Sequence, residues 1–453
     1  KDLKTREKLE FPKGDSLPEA FLNTCERLSN REVVGDLWKG PVKYSKLKIA
    51  ILFFMDQIKS LPGKHIGILL PASSAANCLI IACLLAKKTP VLLNWTVGRR
   101  HLEAVDEVVC LDVVLTSWKF IDRLDNVDLG PMTQKLLFLE DFVESASLKD
   151  KLKAWRLSKK GTKKLLSKLD YNSSKVKNDI ASILFTSGSE GMPKAVPLTH
   201  TNLLESQKGG FESVDLYADD IMFSALPPFH SFGFSITGLF PLLLGMRTVF
   251  YPNPLDHEQI LELFSKWKVS VVGSAPSFLR GLIKHGTREH LENMRLVFMG
   301  AEKAPSGLIE AFLDKNSGIL FAEGYGITEC GPVISVNTKR VEKPGIGLPI
   351  PSVDVLIVNP DSLEPVAKGE RGLLLVKGPG IFGGYWGERK QTSPFVFCQG
   401  HTWYQTGDLG TVDEEGFLSL SGRSKRFIKV GGEMVSLGAI EDVLNEEYVD
   451  KAS

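Results

Sequence analysis

The sequence is poor in net charge, because 55 basic side chains stand against 54 acidic ones, a formal +1. A chain whose main task is coating nucleic acid needs uncompensated Lys and Arg, so that class is set aside and no nucleic-acid partner is expected. The six cysteines, Cys25, Cys78, Cys83, Cys110, Cys330 and Cys398, include no CxxC and have no neighbouring His at zinc-ligand spacing. A reducing cytosol is their natural compartment. Long apolar runs are missing as well. AANCLIIACLLA from Ala75 and FGFSITGLFPLLLG from Phe232 fall short of the ~20 residues needed to cross a bilayer, which leaves peripheral contact as the only membrane association open. The start, KDLKTREKLEFPKGD, is charged and has no apolar core, so it cannot serve as a secretory signal. No solenoid-like repeat is evident. What is present is a globular composition, 453 residues with 43% apolar and 24% charged, enough for about three folding units at ~150 residues each.

Local patterning orders those units. Leu47 to Lys59 has helical spacing, HIGILLP from His65 is a buried-strand run, AANCLIIACLLAKK is apolar all round at helix length, and TPVLLN follows as a strand. That β-α-β order favours a parallel sheet with helices on its faces. The pattern returns after Asp179 with IASILF, IMFSALP, RTVFY, VSVVGS, RLVFMG and GILFAEGYG. From about Ile346 the texture changes to SVDVLIV, RGLLLVKG and GFLSLSGR with closely spaced Gly and Pro, a small antiparallel sheet or barrel. The expected fold class is therefore α/β: two α/β subdomains with largely parallel sheets, at 1–178 and 179–340, then a small β-barrel-like subdomain at 341–421. Residues 422–453 open a further element, with a helix-like AIEDVLNEEYVD after Gly438.

Between Lys149 and Lys177 lie ten lysines and one arginine. Leu152, Trp155, Leu165, Leu166 and Leu169 form one helical stripe there unless Gly161 breaks it. The plainer reading is a solvated linker between the two α/β units. The sharper one is a docking surface for an acidic protein or for anionic lipid.

The strongest local signal is ILFTSGSEGMPK, Ile183 to Lys194. An apolar strand runs into Thr186, Ser187, Gly188, Ser189 and Gly191, where backbone N–H groups and hydroxyls converge without side-chain obstruction, and Lys194 adds positive charge. These are the ingredients of a phosphate cradle, or else of an ordinary Gly/Ser turn. It is not a Walker A loop, since Pro193 stands five residues after Gly188 where that motif needs Gly. EGYGITE, Glu323 to Glu329, follows a strand and offers the Tyr325 ring for stacking a base, a hydroxyl at Thr328 and a carboxylate at Glu329 for Mg2+. WYQTGD places Asp408 on a Gly turn, able to accept from a ribose diol, and GRSKRFIKVGGEMVS supplies Arg423. Singly, Tyr325 is equally a core residue, Glu329 a capping or paired one, and His230 in PPFHSF a packed structural histidine.

Together, FTSGSEGMPK, PPFHSFGF, EGYGITE, WYQTGD and GRSKRFIKVGGEMVS resemble, in order and spacing, the adenylate-forming superfamily of acyl-CoA synthetases, luciferases and peptide-synthetase adenylation domains. Glu190 and the run KRFIKVGGEMVSL look most like the bacterial acyl-[acyl carrier protein] synthetases, including the synthetase part of 2-acylglycerophosphoethanolamine acyltransferases. The resemblance implies ATP and Mg2+ as cofactors. It assigns Thr186 to Lys194 to the triphosphate, Gly324 and Tyr325 to adenine, Thr328 to the α-phosphate, Glu329 to Mg2+, and Asp408 and Arg423 to the ribose hydroxyls. His230 would stand at the mouth of an acyl pocket, and Lys194, Thr328, Glu329 and His230 form the implied catalytic set, with Lys425 at the hinge.

Three departures qualify those assignments. Glu190 is a carboxylate where the superfamily more often has Thr, GAEKA from Gly300 is a polar variant of a usually smaller turn, and the family's small C-terminal domain with its catalytic Lys in a GK motif does not follow the hinge. Two readings of that absence compete, a truncated synthetase, which is favoured, and a protein that lacks the domain; as given, adenylation is expected to be much impaired even where ATP binds. The expected function is activation of a fatty acid and transfer to the phosphopantetheine thiol of acyl carrier protein. CoA as acceptor is the near alternative, and a non-catalytic nucleotide or acyl-adenylate binding module the alternative from another class. The expected location is cytoplasmic, with membrane association open.

Overall fold

The computed structural model describes residues 6–36, 40–124, 127–187, 193–305, 307–387, 393–423, 427–430 and 433–436. Three large sheets organise them, with a separate two-stranded hairpin of Phe427–Val430 and Glu433–Ser436. The first has six strands in the order Leu136–Phe138, Val113–Thr116, His65–Ile68, Thr89–Leu92, Ile180–Ser187 and Pro193–Thr199, all parallel except for the last, which closes a hairpin. The second has nine strands. Its parallel centre runs from Leu320–Gly326 through Leu296–Met299, Val271–Ser274, Ile221–Ser224 and Arg247–Phe250 to Glu32–Asp36, and short antiparallel strands edge it on both sides. The third is antiparallel, built from Asp354–Val358, Gly372–Lys377, His401–Val412, Phe395–Cys398 and Leu418–Arg423. Strands such as Val113–Thr116 and Val271–Ser274 are buried at every residue, which is why they read as continuous apolar runs: helices cover both faces of a parallel sheet.

The helix Ser74–Leu85 is apolar all round because it is buried all round, from Ala76 to Leu85, and Ser73 caps its start by accepting from the Ala76 N–H at 3.2 Å. The expected two-unit division at residue 178 does not follow the sheets. Glu32–Asp36, far upstream, pairs with Arg247–Phe250 of the second sheet, and the phosphate-loop hairpin after Asp179 belongs to the first. Pairing between distant strands sets sheet membership, and local periodicity carries no trace of it.

The basic segment is likewise not a solvated linker. It folds as the helices Leu148–Ser158 and Thr162–Lys168 with Gly161 between them. Ala154, Leu157, Leu165 and Leu166 are buried in the main core, whereas Leu152 and Trp155, expected on the same stripe, are exposed. The break at Gly161 turns the second helix relative to the first, so one sequence stripe becomes two faces.

Candidate active site

Except for WYQTGD, which lies inside a strand, each motif ends a strand or begins a turn at the seam between the sheets. Tyr325 closes the strand Leu320–Gly326, and a single 3-10 turn, Thr328–Cys330, follows it. Gly326 permits this, because a Cβ there would sit 2.0 Å from the Pro332 carbonyl oxygen. Asp408 lies within the long strand His401–Val412 rather than in a turn, directly across the ladder from Arg423. Gly407, at φ 77, bends that strand just before it.

Two clusters result. In the first, the Tyr325 hydroxyl donates to Asp408 Oδ2 at 2.5 Å and Arg423 Nε donates to Oδ1 at 3.2 Å. Asp408 is 5% exposed and Tyr325 9%, while the Arg423 side chain reaches out to solvent. Burial, then the neighbouring Asp408 charge, holds the Tyr325 phenol well above its ordinary pKa, so it stays a donor. In the second, Glu329 is 8% exposed and accepts from the Tyr385 hydroxyl at 2.8 Å. Tyr385 also faces Lys194, whose Nζ stands 4.8 Å from its ring centroid. Burial raises the Glu329 pKa, while the Tyr385 hydrogen bond and the charges of Arg423 and Lys194 pull against it. Those two charges link the clusters: Lys194 of the first sheet and Arg423 of the third both act on a carboxylate that stands just beyond the end of a strand of the second.

Thr328 Oγ1 donates to Ser231 Oγ at 3.2 Å, which ties EGYGITE to PPFHSF. His230 packs its ring 4.5 Å from that of Phe229. Its edge is open to solvent, yet the cleft walls strip enough water to lower its pKa and keep it neutral near pH 7. The run from Phe232 to Leu239 is a wide π-helical turn, not an ordinary buried helix. Gly233 lets it approach the preceding chain, since a Cβ would lie 2.3 Å from the Pro227 oxygen. Beside it is a cavity of about 140 Å3 walled by Val214, Ile236, Phe240, Phe298 and Val336. Ser231, Gly300, Gly324 and Tyr325, from the motif segments, line the same cavity.

Thr186 pairs with Lys194 across the hairpin that flanks the phosphate loop. Gly188, Ser189, Glu190 and Gly191 themselves, the Ser187 side chain, Lys425 and the helix expected after Gly438 lie outside the described residues. Glu302 of GAEKA points at Ser277, accepting from its N–H and hydroxyl at 3.1 and 3.0 Å. Among the sequence-expected residues with described side chains, Lys194, Tyr325, Glu329, Asp408 and Arg423 are thus brought together; Gly324 lines the adjoining cavity, and Thr328 is bonded to its lining residue Ser231, which follows His230 in the chain. Sequence reasoning missed Tyr385, which follows Gly383 and Gly384 and stands between Glu329 and Lys194, donating to the one and facing the other with its ring. It also missed Gln207, on the helix His200–Glu212. Gln207 is fully buried, lines the cavity and donates to Ser235 Oγ at 3.0 Å; its i, i+3 spacing to Gly210 was the available signal.

The cleft thus sets a lysine-bearing hairpin, two buried carboxylates and an apolar cavity side by side. Residues 54–386 match the model of the family described as "AMP-binding enzyme", and the chain belongs to that family. It is similar to a long-chain-fatty-acid–CoA ligase of Bacillus subtilis, 31% identical over 364 residues that cover 79% of this chain and 62% of that protein. A feruloyl-CoA synthase of Amycolatopsis is 32% identical over 272 residues, 59% of this chain and 54% of the relative. The chain therefore spans less than two thirds of the length of these relatives. Among solved structures, o-succinylbenzoate CoA synthetase of Bacillus subtilis with its acyl-adenylate intermediate superposes at a TM-score of 0.76, 23% identity, over 95% of this chain and 83% of that one. The same enzyme with ATP and magnesium ion gives 0.75 at 22% identity, over 95% and 84%. At those identities the likeness is one of fold.

Proposed function

We propose that the protein uses ATP to activate a fatty acid as its acyl-adenylate and passes the acyl group to a phosphopantetheine thiol, as an AMP-forming acid–thiol ligase. The observation that carries this reading is the meeting of Lys194, Glu329, Asp408 and Arg423 in one cleft beside an apolar cavity.

In this reading a carboxylate oxygen attacks the α-phosphorus in line, the bond to the bridging oxygen of pyrophosphate breaks, and pyrophosphate leaves with its electron pair. Both reactants are anionic, so positioning and charge neutralisation matter more than proton transfer. Lys194 and the hairpin loop hold the triphosphate, and the Thr328–Ser231 hydroxyl pair faces the α-phosphate. Asp408, fixed from both sides by Tyr325 and Arg423, accepts from the ribose hydroxyls. The neutral His230 orients the acid at the cavity mouth.

The donor set suits Mg2+ held through substrate: no group of three or more His, Cys, Asp and Glu able to hold a metal occurs among the described residues. Glu329 would hold it through its carboxylate, a hard oxygen donor suited to this cation. Bound there, Mg2+ supplies positive charge to the phosphates.

The acyl-adenylate is a mixed anhydride that a thiol attacks at the carbonyl carbon, releasing AMP. Acyl carrier protein is the acceptor favoured by Glu190 and KRFIKVGGEMVSL; CoA is the second reading, favoured by the names of the relatives. Fatty-acid-dependent pyrophosphate release across a chain-length panel tests the first half-reaction. No release with ATP binding intact would leave a binding module. Holo-acyl carrier protein and CoA offered side by side decide the acceptor.

A further inference from the structure

The helix Leu148–Ser158 has two apolar faces, and the fold uses one. At about 100° per residue, Ala154 and Leu157 share the face packed against the helix Tyr44–Lys59, where Lys153 also reaches Asp56 at 2.6 Å. The helix start is fixed by Ser147 and Asp150, which cap each other's backbone. On the opposite side Leu148, Leu152 and Trp155 fall on one line, exposed at 86%, 43% and 47%.

Positive charge rims this ridge. Lys149 and Arg156 flank one side and Lys151 the other, while Lys159 continues the line with its Nζ 5.2 Å from the Trp155 ring centroid. Lys163, Lys164 and Lys168 follow, exposed, on the helix Thr162–Lys168. From Leu148 to Lys168 eight lysines and one arginine meet a single acid, Asp150, in a chain whose overall charge is only +1. The excess is therefore local.

We propose that this face docks the protein onto an anionic phospholipid bilayer. Leu148, Leu152 and Trp155 enter the boundary between headgroups and acyl chains, and the surrounding lysines and Arg156 meet lipid phosphates. A convex apolar ridge needs a complementary groove on a folded partner, whereas a bilayer deforms around it. Trp at the interface and Lys stems that run along apolar surface to a charged head suit that environment. Because the packed face anchors the helix, the ridge is presented without refolding, and a fatty acid dissolved in the same membrane becomes local to the enzyme.

The test is co-sedimentation of the full chain with vesicles of phosphatidylcholine alone and of phosphatidylcholine with phosphatidylglycerol in equal parts. Binding to the anionic vesicles alone, weakened by salt, is expected. Each Lys→Gln change among Lys149, Lys151 and Lys159 lowers partitioning by about fivefold. The combined Leu148→Ser, Leu152→Ser and Trp155→Ser variant loses vesicle binding while its thermal unfolding stays that of the parent. Equal binding to both vesicle types, or wild-type binding by the triple variant, overturns the proposal. So does a triple variant that keeps vesicle binding and loses affinity for holo-acyl carrier protein, which would make the ridge a protein-docking surface.

Discussion

Tyr325→Phe separates two roles that the sequence merges. The ring survives, so any stacking on adenine survives with it, but the hydroxyl that donates to Asp408 Oδ2 at 2.5 Å is lost. Asp408 is 5% exposed and keeps Arg423 Nε at 3.2 Å, a partner whose own side chain is mostly in solvent and so constrains it less. A hydrogen bond to a charged group contributes about 1.5–3 kcal/mol, equivalent to roughly ten- to a hundredfold in affinity. If Asp408 holds the ribose equally in ground and transition states, that loss enters KM for ATP and leaves kcat nearly unchanged. Steady-state pyrophosphate release over an ATP series measures it, with AMP binding by calorimetry as an independent reading. Asp408→Asn alone and combined with Tyr325→Phe completes a cycle, and the two changes should be far from additive because they break one contact. A Tyr325→Phe enzyme with wild-type kcat/KM, or one less stable to urea but unaltered in ATP affinity, would refute the ribose role.

Three other outcomes are expected. Glu329 has its pKa raised by burial, so if it holds Mg2+ as proposed, protons compete with the cation at less acidic pH than for an ordinary carboxylate. The Mg2+ requirement should climb as pH falls through that raised value, and Glu329→Gln should lower turnover roughly a hundredfold or more and abolish the pH dependence of what remains; Mg2+ titrations across pH read both. Val214→Trp fills part of the cavity wall and should shift the kcat/KM preference toward shorter acids by at least about tenfold, measured over a chain-length series. His200, 2% exposed, accepts from the Leu17 N–H on Nδ1 at 3.3 Å and has its pKa lowered to about 4 by burial. The unfolded chain, titrating near ~6.5, binds more protons between those values. Stability is therefore lost as pH falls across that window, by at most about 3 kcal/mol. His200→Gln should flatten the slope in urea unfolding at successive pH values.

The strands and the site motifs were legible because each is written locally. HIGILLP, RLVFMG and GILFAEGYG are buried runs bounded by turns, and the structure places strands at His65–Ile68, Leu296–Met299 and Leu320–Gly326. The residues of the cleft were legible because the motifs occur in order. What escaped depends on partners remote in sequence. Glu32–Asp36 carries no sign that it joins Arg247–Phe250 more than two hundred positions on. The stripe of Leu152, Trp155, Leu165 and Leu166 is periodic whether it faces core or solvent, and only the packing of Ala154 and Leu157 against Tyr44–Lys59 decides which residues turn outward. Tyr385 sits in a Gly-rich turn with no charge of its own, so nothing local marks it as the bridge between Glu329 and Lys194.

That bridge states how the fold makes the site. Lys194 comes from the first sheet, Tyr325 from the second with Glu329 just beyond it, and Asp408 and Arg423 from the third. No sheet alone supplies both the carboxylate pair and the cations that offset it. Glu329 is kept buried at the cost of a raised pKa, and Asp408 is kept in place by donors from two different sheets. Such groups hold a fixed geometry only while the sheets stay packed, since burial supplies the low dielectric that strengthens each contact and penalises each unpaired charge. The electrostatics of the cleft are therefore a property of the seam, and if the cleft holds a nucleotide as proposed, a change that loosens one sheet against another should weaken that binding without touching a cleft residue.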